Sequence, residues 1–222
     1  MTAPRLVVFD LDGTLVDTLD DLTACANRLL GRLGADRRLV AGEVRPMVGD
    51  GVPALVRRVL RRAGLAEVDE TAAIAGFATD YEQRAAEASR AYPGATETLD
   101  ALRRDGWRLA VCTNKPEAAA RHLLTALGMA DYLDAIGGGD SFPARKPDPA
   151  HLLGTIEQAG GVPARSVMVG DHRNDIEAAR GAGVASIFAG WGFGSEAMAQ
   201  GSRARAGALP EIPALAAAMI RE

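Results

Sequence analysis

Five short apolar runs, separated by segments of helical periodicity, constrain the fold of this chain more than any other feature. They are LVVF at 6–9, RLAVCT at 108–113, a weaker DAI at 134–136, SVMVG at 166–170 and VASIF at 184–188. Such runs lack the apolar–polar alternation of a half-exposed strand, and so predict strands buried on both faces of a parallel sheet. Helices are predicted at 95–104, which carries Leu99 and Leu102, and at 117–127, between Pro116, a favoured first helical residue, and Gly128. Two more are predicted at 149–159 and 174–182, and a last one from about 211 to 221 in an Ala-rich tail. Strands alternating with helices predict an α/β fold, a doubly wound, mainly parallel, Rossmann-like sheet.

The stretch between the first two strands breaks this rhythm. Residues 16–90 carry apolar positions at helical spacing, among them Leu22, Leu29, Leu30, Leu55, Val56, Val59, Leu60, Phe77 and Tyr81, and no convincing strand. An insertion of that size predicts a small helical cap domain, 16–90, mounted on a core formed by 1–15 and 91–222.

Composition excludes several classes of function. A net charge of −4 without a basic run offers nothing to nucleic acid or to a membrane surface. No apolar stretch is long enough to span a bilayer and no leader pattern opens the chain, so a soluble, cytoplasmic protein is expected. Cys25 and Cys112 read as free thiols of a reducing compartment, Cys112 as a small core residue. Of 25 Lys and Arg residues, only Lys115 and Lys146 are lysine. Any role that needs a lysine therefore has two candidates. Oligomeric state is left open.

Each strong strand ends in residues able to do chemistry. The first ends in Asp10, followed by Asp12; the second in Thr113 and Asn114; the fourth in Gly170 and Asp171, with Asp175 one helical turn on. Two carboxylates about 4 Å apart repel by roughly 4 kcal/mol at an effective dielectric near 20, so folding alone gains nothing from the first pair. Open α/β sheets bind ligands in the crevice outside the carboxyl ends of their strands, where these residues converge. Carboxylates gathered there suit a hard cation with oxygen ligands, Mg²⁺ above all, although Asp171 alone also reads as a plain helix cap. Lys146, held between prolines in ARKPDPAH, is the expected fixed charge for a phosphoryl group, and Lys115 a contact at the rim. His122 and His151 fall on predicted helices and are expected at the surface; His172 could line the rim.

These residues also carry a resemblance. DLDGTLVD at 10–17, TN at 113–114, KPDP at 146–149 and GDHRND at 170–175 resemble, in order and spacing, the four signature motifs of the haloacid dehalogenase superfamily. MVGDGVPALVRRVL at 47–60, YPGATETLDAL at 92–102, CTNKPEAA at 112–119 and GDHRNDIEAARGAG at 170–183 are similar to bacterial phosphoglycolate phosphatases. His172 and GFG at 192–194 depart from that family's usual serine and tyrosine-containing loop.

The resemblance implies a small phosphorylated substrate, attacked by Asp10 to give an aspartyl-phosphate, with Asp12 as general acid and base. It implies Mg²⁺ on the Asp10 carboxylate, the Asp12 backbone carbonyl and Asp171, with Asp175 behind them or joined through water. Thr113, Asn114 and Lys146 would hold phosphoryl oxygens, and Gly13 would permit the tight turn. The loop Gly49-Asp50-Gly51, opening a helix, would meet a substrate carboxylate with help from Arg45; a plain helix–helix turn is the alternative. Asp12 argues against a dehalogenase, and an insertion without lysine against a Schiff-base hydrolase. Phosphatases of sugar phosphates, nucleotides or pyrophosphate, and phosphosugar mutases, stay open. A silent phosphate-binding module would predict loss of Asp10, Asp12 or Lys146, and all are present.

Overall fold

The computed structural model describes residues 3–65 and 67–220. Its strands are β1 (Leu6–Phe9), β2 (Val16–Asp17), β3 (Arg90–Ala91), β4 (Arg108–Cys112), β5 (Ala135–Gly137), β6 (Ser166–Gly170), β7 (Ala185–Ala189) and β8 (Ala204–Ala206). Its helices are α1 (Leu19–Arg32), α2 (Ala41–Val44), α3 (Val52–Ala63), α4 (Glu70–Arg84), α5 (Ala95–Arg104), α6 (Glu117–Ala126), α7 (Pro149–Gln158), α8 (Arg173–Gly181) and α9 (Ile212–Met219). Six strands form one sheet in the order β5-β4-β1-β6-β7-β8, every neighbouring pair parallel.

The central strand shows why its sequence is apolar throughout. Val7 and Phe9 of β1 point to one face, where they join Leu109, Val111, Val167 and Val169 and pack on Leu99, Leu123 and Ile212 from α5, α6 and α9. Leu6 and Val8 point to the other, where Ala110, Cys112 and Met168 meet Leu152 and Ile156 of α7 and Ala178 of α8. Successive side chains alternate across a strand, so a strand covered on both faces has no polar position to give.

The predicted elements fall within a residue or two of those observed. Pro116 is the cap of α6 rather than its first residue, with φ −52° and ψ 140°. The tail adds β8, and α9 begins at Ile212; residue 221, where the last helix was predicted to end, lies outside the described residues.

The interval between β2 and β3 holds α1 to α4, a helical insertion with an apolar cluster of its own. Leu22, Cys25, Ala26, Leu29 and Leu30 line one face of α1 and meet Val56 and Val59 of α3 and Phe77 and Tyr81 of α4. Spacings of three and four residues put those side chains on one stripe. Strand pairing was not expected here, yet β2 and β3 pair antiparallel, Val16 with Ala91 and Asp17 with Arg90. Two residues each are too few to leave a periodic signal. The pair draws both connections of the insertion together.

Asp21, buried at the start of α1, ties this crossing. It accepts hydrogen bonds from Ala88 N at 2.9 Å, Ser89 N at 2.8 Å and Ser89 Oγ at 2.6 Å. Replacing Asp21 by Ala strands these buried donors. The expected loss is about 1–3 kcal/mol of stability, read as a lower urea midpoint; an unchanged midpoint would refute the role assigned to this carboxylate.

Candidate active site

The sheet delivers Asp10 to its carboxyl edge. Asp10 N donates to Val169 O at 2.8 Å, so the residue still follows β6, and the chain then turns sharply. Leu11 O accepts from Thr14 N, Leu15 N and Val16 N at 3.0–3.2 Å, closing a compact loop that swings Asp12 back over the strand ends. Gly13 adopts φ +88°, and a Cβ there would lie 2.6 Å from Asp171 Oδ2. Only glycine suits both demands.

The other strand ends supply the remaining groups. Thr113, buried after β4, donates its N–H to Gly137 O at 2.9 Å. After β6 the chain passes Asp171 and enters α8, whose cap is His172 and not Asp171. Its Nδ1 accepts from Asn174 N, while Asp175 Oδ2 accepts from His172 N at 2.9 Å. Asp171 is left for the site. Its Oδ1 accepts from Thr14 Oγ1 at 3.0 Å and its Oδ2 from Phe193 N and Gly194 N at 2.7 and 3.1 Å.

Asp10, Asp171 and Asp175 are all buried, each offering a carboxylate oxygen within 4.8 Å of the others. Lys146, 3% exposed, reaches between them: its ammonium lies 3.0 Å from Asp10 Oδ1 and 2.5 Å from Asp175 Oδ1, and also donates to Cys112 O. One ammonium faces three carboxylates, and the electrostatics follow. Burial pushes Asp10 up to about 6, against the pull of Lys146 and with help from Asp175 and Asp12. Burial, with Asp10 and Asp175 beside it, pushes Asp171 up to about 7. Burial alone would lower Lys146, but Asp10 and Asp175 hold its proton more tightly than in water. Asp10 Oδ1 is buried, and its close partner is the Lys146 ammonium at 3.0 Å. Three buried carboxylates sharing one ammonium leave excess negative charge on oxygen donors, which fits a hard divalent cation.

Asp12 faces elsewhere. Its Oδ1 accepts from Lys115 Nζ at 2.9 Å, and Lys115 also donates to the hydroxyl of Tyr81 on α4. The expectation of Lys115 as a rim contact is corrected: the side chain is 1% exposed, enclosed between Asp12 and the Tyr81 ring. His151 is corrected likewise. It is buried, with Nδ1 accepting from Lys146 N at 3.2 Å and Nε2 3.3 Å from Gly137 O, so it braces the lysine loop. Burial, and then Lys146, lower its pKa to about 4, which leaves the ring neutral. His122 is exposed, as expected.

The insertion closes over these groups. Gly49 O accepts from the side-chain amides of Asn114 at 2.9 Å and Asn174 at 3.3 Å, and Asp50 Oδ1 accepts from Asn174 at 2.7 Å. Asn114 also donates to Lys146 O, so its side chain joins core and insertion. Gly51 packs against Asn114 O, where a Cβ would sit 3.2 Å away. Arg45 donates through Nε and Nη2 to the carbonyls of Phe193 and Gly192 and lines a recess beside Asp10, Asp12 and Asp171. A pocket of about 40 Å³ remains, lined by Asp10, Asp12, Thr113, Asn114 and Lys115 from the core and by Leu22, Val48, Val52, Leu55 and Tyr81 from the insertion.

Thr14, Tyr81, Asn174 and the bracing His151 went unread as site residues. Tyr81 sits at an apolar helical position, and Asn174 lies inside a capping sequence, so neither carried a separate signal. The scarcity of lysine could have promoted Lys115.

Residues 7–189 match the family described as haloacid dehalogenase-like hydrolase. A phosphoglycolate phosphatase of Agrobacterium fabrum is 46% identical over 190 residues, 85% of this chain and 81% of its own. A plasmid-encoded phosphoglycolate phosphatase of Cupriavidus necator is 42% identical over 212 residues, covering 94% and 91%. The crystal structure of a predicted phosphoglycolate phosphatase from Haemophilus somnus superposes with a TM-score of 0.88 at 31% identity, covering 97% of this chain and 99% of that one. With its four motifs drawn to one strand-end crevice and this likeness running over most of its length, the chain belongs to the haloacid dehalogenase-like hydrolases.

Proposed function

We propose that this chain is a Mg²⁺-dependent phosphatase that hydrolyses 2-phosphoglycolate to glycolate and phosphate through an aspartyl-phosphate on Asp10. The observation that carries the reading is Asp10 itself: a buried carboxylate at a strand end, 3.0 Å from the Lys146 ammonium and clustered with Asp171 and Asp175. The relatives' activity points to the substrate.

In this mechanism an Asp10 oxygen forms a bond to phosphorus as the ester P–O bond breaks. Asp12 gives its proton to the departing glycolate oxygen, then takes one from the water that attacks phosphorus and releases Asp10. Lys146, with Thr113 and Asn114, holds phosphoryl oxygens, and His151 and Asp175 keep the lysine in place. The Asp10 and Asp171 carboxylates and the Asp12 carbonyl would hold Mg²⁺, with Asp175 behind them; the ion would neutralise charge on the phosphoryl oxygens. Residues 16–90 act as a cap that keeps bulk water out, over a core of 1–15 and 91–222. Apolar Val48, Val52 and Leu55 line the pocket on that side. We place the enzyme in the cytoplasm, in keeping with two buried free thiols, Cys25 and Cys112. Among the described residues no helix is long and apolar enough to cross a membrane.

The direct test is kcat/KM across 2-phosphoglycolate, pyrophosphate, nucleotides and hexose phosphates. 2-Phosphoglycolate is expected to lead by at least about tenfold, roughly 1.4 kcal/mol of differential transition-state binding; a hexose phosphate in first place would overturn the substrate assignment. Asp10→Asn should lower kcat by about 10³-fold or more in a protein that still folds, since a neutral amide is a poor nucleophile. Turnover near the wild-type rate would remove Asp10 from that role.

Metal dependence carries a pH signature. Folded-state values of about 6 for Asp10 and about 7 for Asp171 lie above the usual 3.8, so the metal-free fold binds protons that the unfolded chain has released. Those two groups make the metal-free protein lose stability as pH rises from about 4 to 7. Mg²⁺ needs the ionised carboxylates, so its stabilisation should be larger at about pH 8 than at about pH 5.5, read as the rise in melting temperature on adding Mg²⁺. An equal rise at both values, or full turnover in chelator, would contradict the metal assignment.

A further inference from the structure

The chemistry above gives Lys115 no part, although it is one of only two lysines in the chain and is buried beside the reactive groups. Its ammonium donates to Asp12 Oδ1 at 2.9 Å and to the Tyr81 hydroxyl, and stands 4.2 Å from the centroid of the Tyr81 ring. An ammonium carries three N–H donors. Those two are its hydrogen bonds among the described residues, which leaves one donor over in a side chain that lines the pocket.

We propose that Lys115 is the receptor for the carboxylate of the substrate, so that a short phosphorylated acid is recognised by a separate ammonium at each end. This rests on the phosphoglycolate reading above and deepens it. The other charged side chains of the pocket, Asp10 and Asp12, are acidic, and Leu22, Val48, Val52 and Leu55 are apolar. Lys146, which serves the phosphoryl end, does not line this pocket. Arg45 lines a neighbouring recess with Asp171 and His172. Lys115 is thus the one cation among the pocket's lining residues, and Asp12 and Tyr81 hold it in place from core and insertion.

The pocket is small, about 40 Å³, which suits a short acid better than a hexose. Gly51 and Val52 at the start of α3 line the same pocket, so the positive end of that helix adds to the field of Lys115.

The experiment compares 2-phosphoglycolate with 2-hydroxyethyl phosphate, which has the same chain length and an uncharged end. It uses the full-length wild type, Lys115→Met and Lys115→Gln. The wild type tests the underlying reading: failure to hydrolyse 2-phosphoglycolate sinks that reading whatever the variants do. Given that activity, the inference predicts that each variant loses about 10- to 100-fold of the wild-type preference for 2-phosphoglycolate, chiefly through KM. Glutamine keeps amide donors for Asp12 and Tyr81 while removing the charge, so it carries the test if the methionine variant does not fold. Equal losses on both substrates, or a wild type without preference, would overturn the carboxylate role. Equal losses would leave Lys115 as a residue that only positions Asp12.

Discussion

Carboxylates crowded at the ends of buried parallel strands are the constraint on which the rest of this structure depends. The sheet is held by apolar strands covered on both faces, and those strands can end in only one region. Three acidic residues placed there lose hydration and repel one another, so burial and mutual charge raise Asp10 and Asp171 together. The fold meets this cost locally. Lys146 spans Asp10 and Asp175, Asp171 accepts from Thr14 and from two backbone amides of the 193–194 loop, and Asp175 caps the start of α8. What is left over, negative charge that one ammonium does not balance, is a defect for folding and a requirement for binding a cation.

Asp10 and Asp12 were the first sign of this conflict, two acids separated by one residue after an apolar strand. The structure eases their repulsion by giving each acid its own lysine, although Asp12 still adds to the rise of Asp10. The turn from Leu11 to Val16 sends Asp12 away from the line of β1, and each aspartate then faces its own lysine, Lys146 for Asp10 and Lys115 for Asp12. Division also joins the two halves of the molecule, because Lys115 reaches Tyr81 on the insertion and Asn114, its neighbour, reaches Gly49. The position of the insertion is therefore tied to residues on either side of the reacting centre.

Legibility in the sequence followed the strength of each physical signal. Apolar strands and amphipathic helices have periods that a single chain displays, so β1, β4, β6, β7 and α5 to α8 could be placed within a residue or two. The pair β2 and β3 is held by backbone hydrogen bonds across more than 70 residues of intervening chain, and Asp21 braces it through Ala88 and Ser89; no local pattern encodes that. Asp10, Asp171, Asp175 and Lys146 were legible because several strand ends carry polar residues at once and converge on one crevice, which outweighs the helix-cap reading of any one of them. His151 was misplaced for a similar reason in reverse: a polar residue on a helix reads as exposed, unless one knows that the helix turns that face toward the lysine loop.

The two lysines sharpen this point. A chain that otherwise takes arginine as its cation keeps lysine only at two buried positions beside reactive carboxylates. A guanidinium is a planar fork suited to bidentate pairing, whereas an ammonium is a compact charge with donors in three directions. Lys146 uses that form to meet Asp10, Asp175 and the Cys112 carbonyl at once. Lys115 lies against the face of the Tyr81 ring while bonding its hydroxyl and Asp12. Both side chains are closed in, Lys115 to 1% exposure and Lys146 to 2%, so each ammonium is held at a fixed place beside its aspartate. Packing thus sets where each positive charge stands relative to the reacting carboxylates.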